Sequence, residues 1–388
     1  MLSLAVAMGI GRFAFTPLLP LMLHDGVIDL PAASWLATSN YLGYWLGALA
    51  CTLLPWAGAR WPSLPPVVHI QAMRLGLVAT VVLTLAMAVY WPLAWPLWRF
   101  LAGMASALVF VYTSGWCLAR LAVLGAPTLA GVIYVGPGLG ITVSGLATTV
   151  MVAHGVSAAS GWLVLGVLAI VLTALLWPQL RGTVVAAAAP AGRSAASGGS
   201  AMALLAAAYG LAGFGYIVTA TFLPVIARQT LPGSVWLDLF WPLFGVGVSV
   251  GALLTIRLPV SWDRRHLLMG CYTMQASGIL LGVWWPSLAG FALGSLLIGL
   301  PFTAITLFAM QEVRRLRPEG TSAFIGLFTA VYGLGQIAGP PLVNVLLQRS
   351  ATSAQGFALS LQIAAGALLM GVAVYGWLAK RHPIAHTP

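Results

Sequence analysis

The sequence predicts an all-α membrane protein: twelve transmembrane helices arranged as two pseudo-symmetric six-helix bundles. Three observations lead there: few charges, long unbroken apolar runs, and basic residues sorted into alternate loops. Of 388 residues, 61% are hydrophobic and only 6% charged. A soluble domain carries roughly 25% charged residues. So few charges cannot cover a water-facing surface, so most of the outside must face lipid. Glycine (44) and proline (24) are abundant, as membrane helices tolerate, because neighbouring helices satisfy the freed backbone groups. The short alternating runs of an outer-membrane barrel are absent.

A crossing helix needs about 20 apolar residues. Such spans lie near Leu2–Leu23, Ser34–Pro55, Val67–Tyr90, Trp95–Ala119, Pro127–Val152 and Gly161–Trp177. A second set lies near Ala201–Ala227, Val235–Ile256, Leu267–Trp285, Leu288–Ala309, Ser322–Leu347 and Phe357–Leu378. Residues 1–178 form the N-terminal half and 201–380 the C-terminal half. Between them, 179–200 is rich in alanine, glycine and serine and reads as a flexible cytoplasmic linker. Residues 381–388 form a cytoplasmic tail. The first span lacks a basic leader and carries Arg12, so it reads as a retained helix rather than a cleaved signal.

Thirteen of the 17 basic residues fall in loops on one side: Arg60, Arg74, Arg120, Arg181, Arg193, Arg257, Arg264, Arg265, Arg314, Arg315, Arg317, Lys380 and Arg381. Only Arg228 and Arg349 fall on the other, and Arg12 and Arg99 lie within spans. Positive loops mark the cytoplasmic side. The expected topology is multi-pass in a bacterial-type inner membrane, both termini cytoplasmic. The net charge of +11 is thereby explained by topology, and a nucleic-acid partner is excluded. Cys51, Cys117 and Cys271 lack metal-ligand spacing and read as packing residues. No metal or cofactor is called for, and nothing resembles a nucleotide-binding loop.

The halves repeat each other. Gly9, Gly11, Leu19 and Pro20 align with Gly213, Gly215, Leu223 and Pro224 at a constant offset of 204 (213 − 9, 224 − 20). The same offset aligns Gly43, Gly47, Ala48 and Leu49 with Gly247, Gly251, Ala252 and Leu253. Arg12 thus corresponds to Tyr216. Parallel repeats joined by an inner linker are the plan of a rocking transporter.

With this layout in view, the chain resembles the major facilitator superfamily over nearly its whole length. Arg99-Phe-Leu-Ala-Gly103-Met-Ala-Ser106-Ala107 is similar to that superfamily's fourth-span pattern. Gly136-Pro137-Gly138-Leu139-Gly140 is similar to the motif of its antiporters, which implies helix packing and gating by Gly136, Pro137 and Gly140. The run from Gly9 to Met22, GIGRFAFTPLLPLM, resembles the signature of the YbfB/YjiJ-like branch. The charged loop after the second span departs from the pattern: Cys51 stands at the acidic position and Arg60 alone remains of the basic cluster. In the second half Asp263 and Arg264 are left to carry the gating role that the resemblance implies.

The resemblance and the residues together predict a secondary transporter of a small solute, not an enzyme, and a monomer. Arg12 lies midway along an apolar span, where a charge costs about 2.5–3.5 kcal/mol on insertion scales. It should face a central cavity and either bind substrate or hydrogen-bond carbonyls near Pro17 and Pro20. Arg99 is expected to contact substrate, hold helices together, or reach back to the interface. Asn40, Tyr44, Tyr216 and Gln336 complete the candidate substrate-binding set. Asn40 with Tyr44, and Tyr332 with Gln336, share a helix face at i, i+4. No acidic residue falls at mid-span, and the histidines lie near span ends or in the tail. Positive charge without negative favours an organic anion as substrate. The alternative is a proton-coupled efflux antiporter of drugs or metabolites, the proton being its coupling ion. A lipid-modifying membrane enzyme or a solute sensor would need a nucleophile set or a signalling domain that the sequence lacks.

Overall fold

The computed structural model describes residues 1–61, 69–125, 129–181, 199–234, 236–259, 262–316 and 321–381. Most of the linker, the tail, and with them Arg193, Arg317, His382 and His386, lie outside the described residues. Among the described residues twelve long helices follow one another: α1 (Leu2–His24), α2 (Leu30–Arg60), α3 (His69–Ala86), α4 (Trp95–Val123), α5 (Val135–Ala153) and α6 (Ala158–Leu176). Then come α7 (Gly199–Thr230), α8 (Phe240–Thr255), α9 (Arg264–Trp284), α10 (Leu288–Leu316), α11 (Thr321–Arg349) and α12 (Ser353–Arg381). Eleven are long and apolar enough to cross a membrane. The remaining one, α2, has 31 residues, about 46 Å at 1.5 Å per residue.

Local chemistry sets several ends and breaks. Asp29 caps α2 by accepting from the backbone N–H of Ala32 at 2.8 Å, with Pro31 in the first turn. The helix therefore starts four residues before the predicted Ser34. The predicted span Leu288–Ala309 is two pieces, Leu288–Gly299 and Phe302–Leu316, separated at Leu300 and Pro301. Pro301 has no N–H to give and its ring crowds the preceding turn. Pro137 acts similarly at the start of α5, where Tyr134 separates a short turn, Ala130–Ile133, from the helix proper.

The first helix is interrupted by a different device. Ala5–Arg12 is wound as a π-helix, and the N–H of Phe13 reaches back five residues to the carbonyl of Met8 at 3.0 Å. Wide turns of this kind misalign carbonyls from the regular ladder and often mark functional sites.

Glycines allow the closest helix contacts, and the repeated ones do so in parallel. Gly43 and Gly47 of α2 lie against the backbone of Phe100 and Met104 in α4. Their counterparts Gly247 and Gly251 of α8 lie against Leu296 and Leu300 in α10. The partners are again equally spaced (296 − 100 and 300 − 104 both equal 196). Small residues let backbones approach where any side chain would intrude.

Two seams join the first six helices to the last six: α2 against α11, and α5 against α8. At one end of the α5–α8 seam the Ser249 hydroxyl donates to the Val135 carbonyl at 3.4 Å. At the other, the Thr149 hydroxyl donates to that of Asp238 at 3.1 Å. Along α2, the indole N–H of Trp45 donates to the Ala330 carbonyl of α11 at 2.9 Å. Between α1 and α7, the Thr16 hydroxyl donates to the Ala220 carbonyl at 2.8 Å. Those two residues are 204 apart, the sequence offset of the repeat.

Candidate substrate site

The site is centred on Arg12, where the π-helical stretch of α1 ends. Its side chain is 2% exposed. The Nη2 group donates to the Gln336 Oε1 of α11 at 2.6 Å, and the guanidinium carbon lies 3.7 Å from the Tyr44 ring centroid. Phe13 and Tyr41 flank it at 5.3 and 5.5 Å. A guanidinium stacked on aromatic faces and bonded to an amide oxygen is held by charge–quadrupole and charge–dipole attraction. No carboxylate of the described residues pairs with it, and its Nε–H has no hydrogen-bond partner.

Gln336 joins three helices. While its oxygen accepts from Arg12 of α1, its Nε2 donates to the hydroxyl of Tyr216 on α7. Arg12 and Tyr216, equivalent in the two repeats, thus meet through one amide. The Tyr216 ring lies 6.0 Å from Tyr332 and 4.9 Å from Phe302, the first residue after the break in α10. Phe302 in turn meets Phe13 and Phe244, and Trp241 of α8 meets Phe13 at 6.1 Å. Phe13, Tyr41 and Tyr44 thus flank Arg12 itself, with Phe302 and Trp241 packed on Phe13.

Arg99 does not reach back to the interface. It is 2% exposed, and its two Nη groups donate to the carbonyls of Gly11 and Arg12 at 3.3 and 3.1 Å. Asn40 Nδ2 donates to the backbone carbonyl of Arg99 at 2.9 Å, tying α2 to α4. Ser106, in the same fourth-span motif, donates to the Ala7 carbonyl at 2.7 Å, and Ser144 of α5 to that of Gly9 at 3.4 Å. The π-helical carbonyls are thus satisfied by side chains of α4 and α5, as buried backbone groups in a dry environment must be. Arg12 itself bonds none of the carbonyls near Pro17 and Pro20; its hydrogen bond runs to Gln336.

The fifth-span residues sit one layer out. Gly140 faces the backbone of Ala5 and Gly9, and Gly136 faces Met1, all on α1 or its start. Gly138 turns the other way, onto Gly245 and Ser249 of α8. Pro137, between them, is buried in the first turn of α5. The helix is thereby pressed between α1 and α8.

The charged loop residues form a second cluster, at the end of the bundle that carries most of the arginines. Asp263 pairs with Arg265 rather than Arg264: Nη2 to Oδ2 is 2.8 Å and Nε to Oδ1 3.0 Å. Arg264 instead donates to the Pro259 carbonyl at 3.3 Å and lies over Phe308. Arg265 also donates to the Leu378 carbonyl of α12 and approaches Glu312 of α10 at 3.9 Å. Glu312 accepts two bonds from Arg315, at 2.8 and 2.6 Å. Burial alone would raise the Asp263 carboxyl, but hydrogen bonds from the Arg265 side chain and backbone, with its charge, hold it below the usual carboxylate value. The sequence offers Arg264 and Arg265 alike beside Asp263, and nothing in it pairs either with Glu312. The adjacent arginines are indistinguishable there, and Glu312 stands about fifty residues from Asp263.

Comparison with known proteins agrees with this architecture. Residues 4–375 match the family described as "uncharacterised MFS-type transporter YbfB". The chain belongs to that family. It is therefore a multi-pass membrane transporter of the major facilitator superfamily. Among curated relatives, the efflux pump patC of Aspergillus clavatus is 30% identical over 125 residues, 31% of this chain. The MFS-type transporter patC of Penicillium expansum matches to the same extent. The matched stretch spans 23% of the length of each. Among solved structures, the D323A mutant of the nucleoside transporter NupG superposes with a TM-score of 0.73 at 15% identity, covering 97% of this chain and 98% of that one. The human organic anion transporter MFSD10 gives 0.62 at 16%, covering 96% and 98%. At such identities the likeness is one of fold.

Proposed function

We propose that this transporter carries a small organic anion by alternating access, its two six-helix halves rocking about the Arg12 site. The observation that carries the reading is Arg12: buried among aromatic rings, without a carboxylate partner among the described residues, and joined to the second repeat through Gln336. A fixed positive charge in a dry site favours an anion strongly, since water no longer screens it. Arginine keeps its charge at any accessible pH. Of the described acidic residues, Asp25, Asp29, Asp238 and Asp263 lie at or beyond helix ends, and the buried Glu312 lies in the last turns of α10, bonded to Arg315. That speaks against a mid-span proton carrier and so against the second reading, proton-coupled efflux, to which the fifth-span motif and the patC relatives point. The basic end of the bundle is read as cytoplasmic, which places both termini inside an inner membrane of bacterial type.

The test is uptake into proteoliposomes from a panel of labelled small carboxylates, neutral solutes and organic cations. Accumulation of an anion that is lost in Arg12→Ala at equal reconstituted amount supports the reading. Uptake confined to cations or neutral solutes would end it.

A further inference from the structure

The two buried arginines are not equally available. Both Nη groups of Arg99 are spent on the carbonyls of Gly11 and Arg12, and its backbone carbonyl is taken by Asn40. Arg99 is thus committed to holding α1 to α4. Among the described residues each arginine has an Nε–H with no partner, but Arg12 makes only one side-chain hydrogen bond, to a neutral amide oxygen. The Nε and Nη2 donors thus have a single amide oxygen between them, where one carboxylate could take both. Phe13, Tyr41 and Tyr44 flank the guanidinium, and Phe302 and Trp241 pack behind Phe13. The neighbouring cation, Arg99, keeps both Nη groups on carbonyls, so a second negative charge would find no free fork and its desolvation would go uncompensated.

We infer that the substrate is a singly charged carboxylate on a flat apolar body, and that the Gln336 amide is its internal stand-in on Arg12. The inference rests on the reading of Arg12 as the anion anchor. The amide oxygen of Gln336 sits 2.6 Å from Nη2, where one carboxylate oxygen would bind. It has the shape of a carboxyl group without its charge, so an incoming carboxylate displaces it. Displacement frees Gln336 from Arg12, and the contact linking α1 to α7 and α11 then changes with occupancy. Ligand binding and helix rearrangement are coupled through that one side chain.

Two opposite substitutions separate this from a merely structural glutamine. Gln336→Leu removes the competitor and should tighten binding by about tenfold, or ~1.4 kcal/mol. Gln336→Glu installs a permanent ion pair with Arg12 and should abolish anion binding while the protein melts no lower than wild type. Calorimetric titration of the purified full chain would use benzoate and 1-naphthoate as probes, against phthalate, acetate, benzamide and benzylammonium. The expected order has the aromatic monocarboxylates at least tenfold ahead of all the others. Weaker binding in both Gln336 variants would overturn the stand-in role. Phthalate or acetate binding as tightly as the aromatic monoanions, and lost in Arg12→Ala, would overturn the substrate class and leave the anion reading standing. Benzamide or benzylammonium binding with no anion bound would overturn both. Binding of none of the probes would overturn the flat-body assignment, with the uptake panel then judging the anion reading separately.

Discussion

Arg12 and Arg265 are both 2% exposed arginines, yet their surroundings differ in kind. Arg265 lies at the basic end of the bundle, between two carboxylates: Asp263 binds its fork directly and Glu312 approaches at 3.9 Å while engaging Arg315. Charge there is balanced within the protein, in a cluster that pins α9, α10 and α12 together. Arg12 lies at the centre, where rings and one amide replace carboxylates. A saturated ion pair clamps; a guanidinium held only by polarisable neutral groups still has most of its electrostatic attraction to give. The same residue type thus serves as a fastening in one place and as a ligand anchor in the other.

The largest expected effect that separates the two is on transport. Arg12→Ala should reduce uptake by more than about 100-fold, equivalent to ~2.7 kcal/mol, with membrane abundance unchanged. Arg12→Lys retains the charge, loses the fork, and should fall in between. Comparable losses for Arg12→Ala and Arg265→Ala at equal membrane abundance would erase the proposed distinction.

At the other cluster the effect should appear in stability first. Glu312→Gln leaves Arg265 short of a carboxylate and Arg315 without its partner. Breaking a buried pair costs about 3–5 kcal/mol; Arg315 is 38% exposed, so solvent screening brings the expectation down to ~2 kcal/mol. A lower melting temperature in detergent would register it. Arg264→Gln, which leaves the Asp263–Arg265 pair intact, should melt close to wild type.

A smaller, purely steric contrast involves α5. Gly140→Leu places a side chain where the backbone of Ala5 and Gly9 now lies, and overpacking of that kind costs about 1–3 kcal/mol. Transport should slow several-fold while the protein still inserts. Gly115, with open space around its Cβ position, is the control: Gly115→Ala should transport normally.

The smallest effect is in pH. Asp263 is held below its unfolded value, usually about 3.9, by Arg265. Its contribution is then complete above that value and is lost as pH falls through the lower folded one. Melting temperatures should therefore be level from neutral pH to about 5, then decline with acidification below about 4. Asp263→Asn should flatten the decline; an identical acid profile in the variant would assign it to other groups.

Much of this molecule was determined by sequence alone. Apolar runs of membrane length, the sorting of arginines and the offset of 204 are properties of order along the chain, and they specify helices, their number and their kinship. Arg12 was legible as a site because a charge in the middle of an apolar run is costly wherever it points. Other features depended on which groups meet across the chain, and only the tertiary structure decided them. Gln336 acquires its role by lying 324 positions from Arg12, a distance that no local pattern spans. Arg99 became a strut rather than a second anchor because the π-helical turn of α1 leaves the carbonyls of Gly11 and Arg12 facing it. Arg265 took Asp263 from Arg264 because successive helix residues point about 100° apart, so only one of two neighbours could turn toward Leu378 of α12 while the other lay over Phe308 of α10. A chain can announce that a charge must be satisfied; the packing of distant helices decides by what.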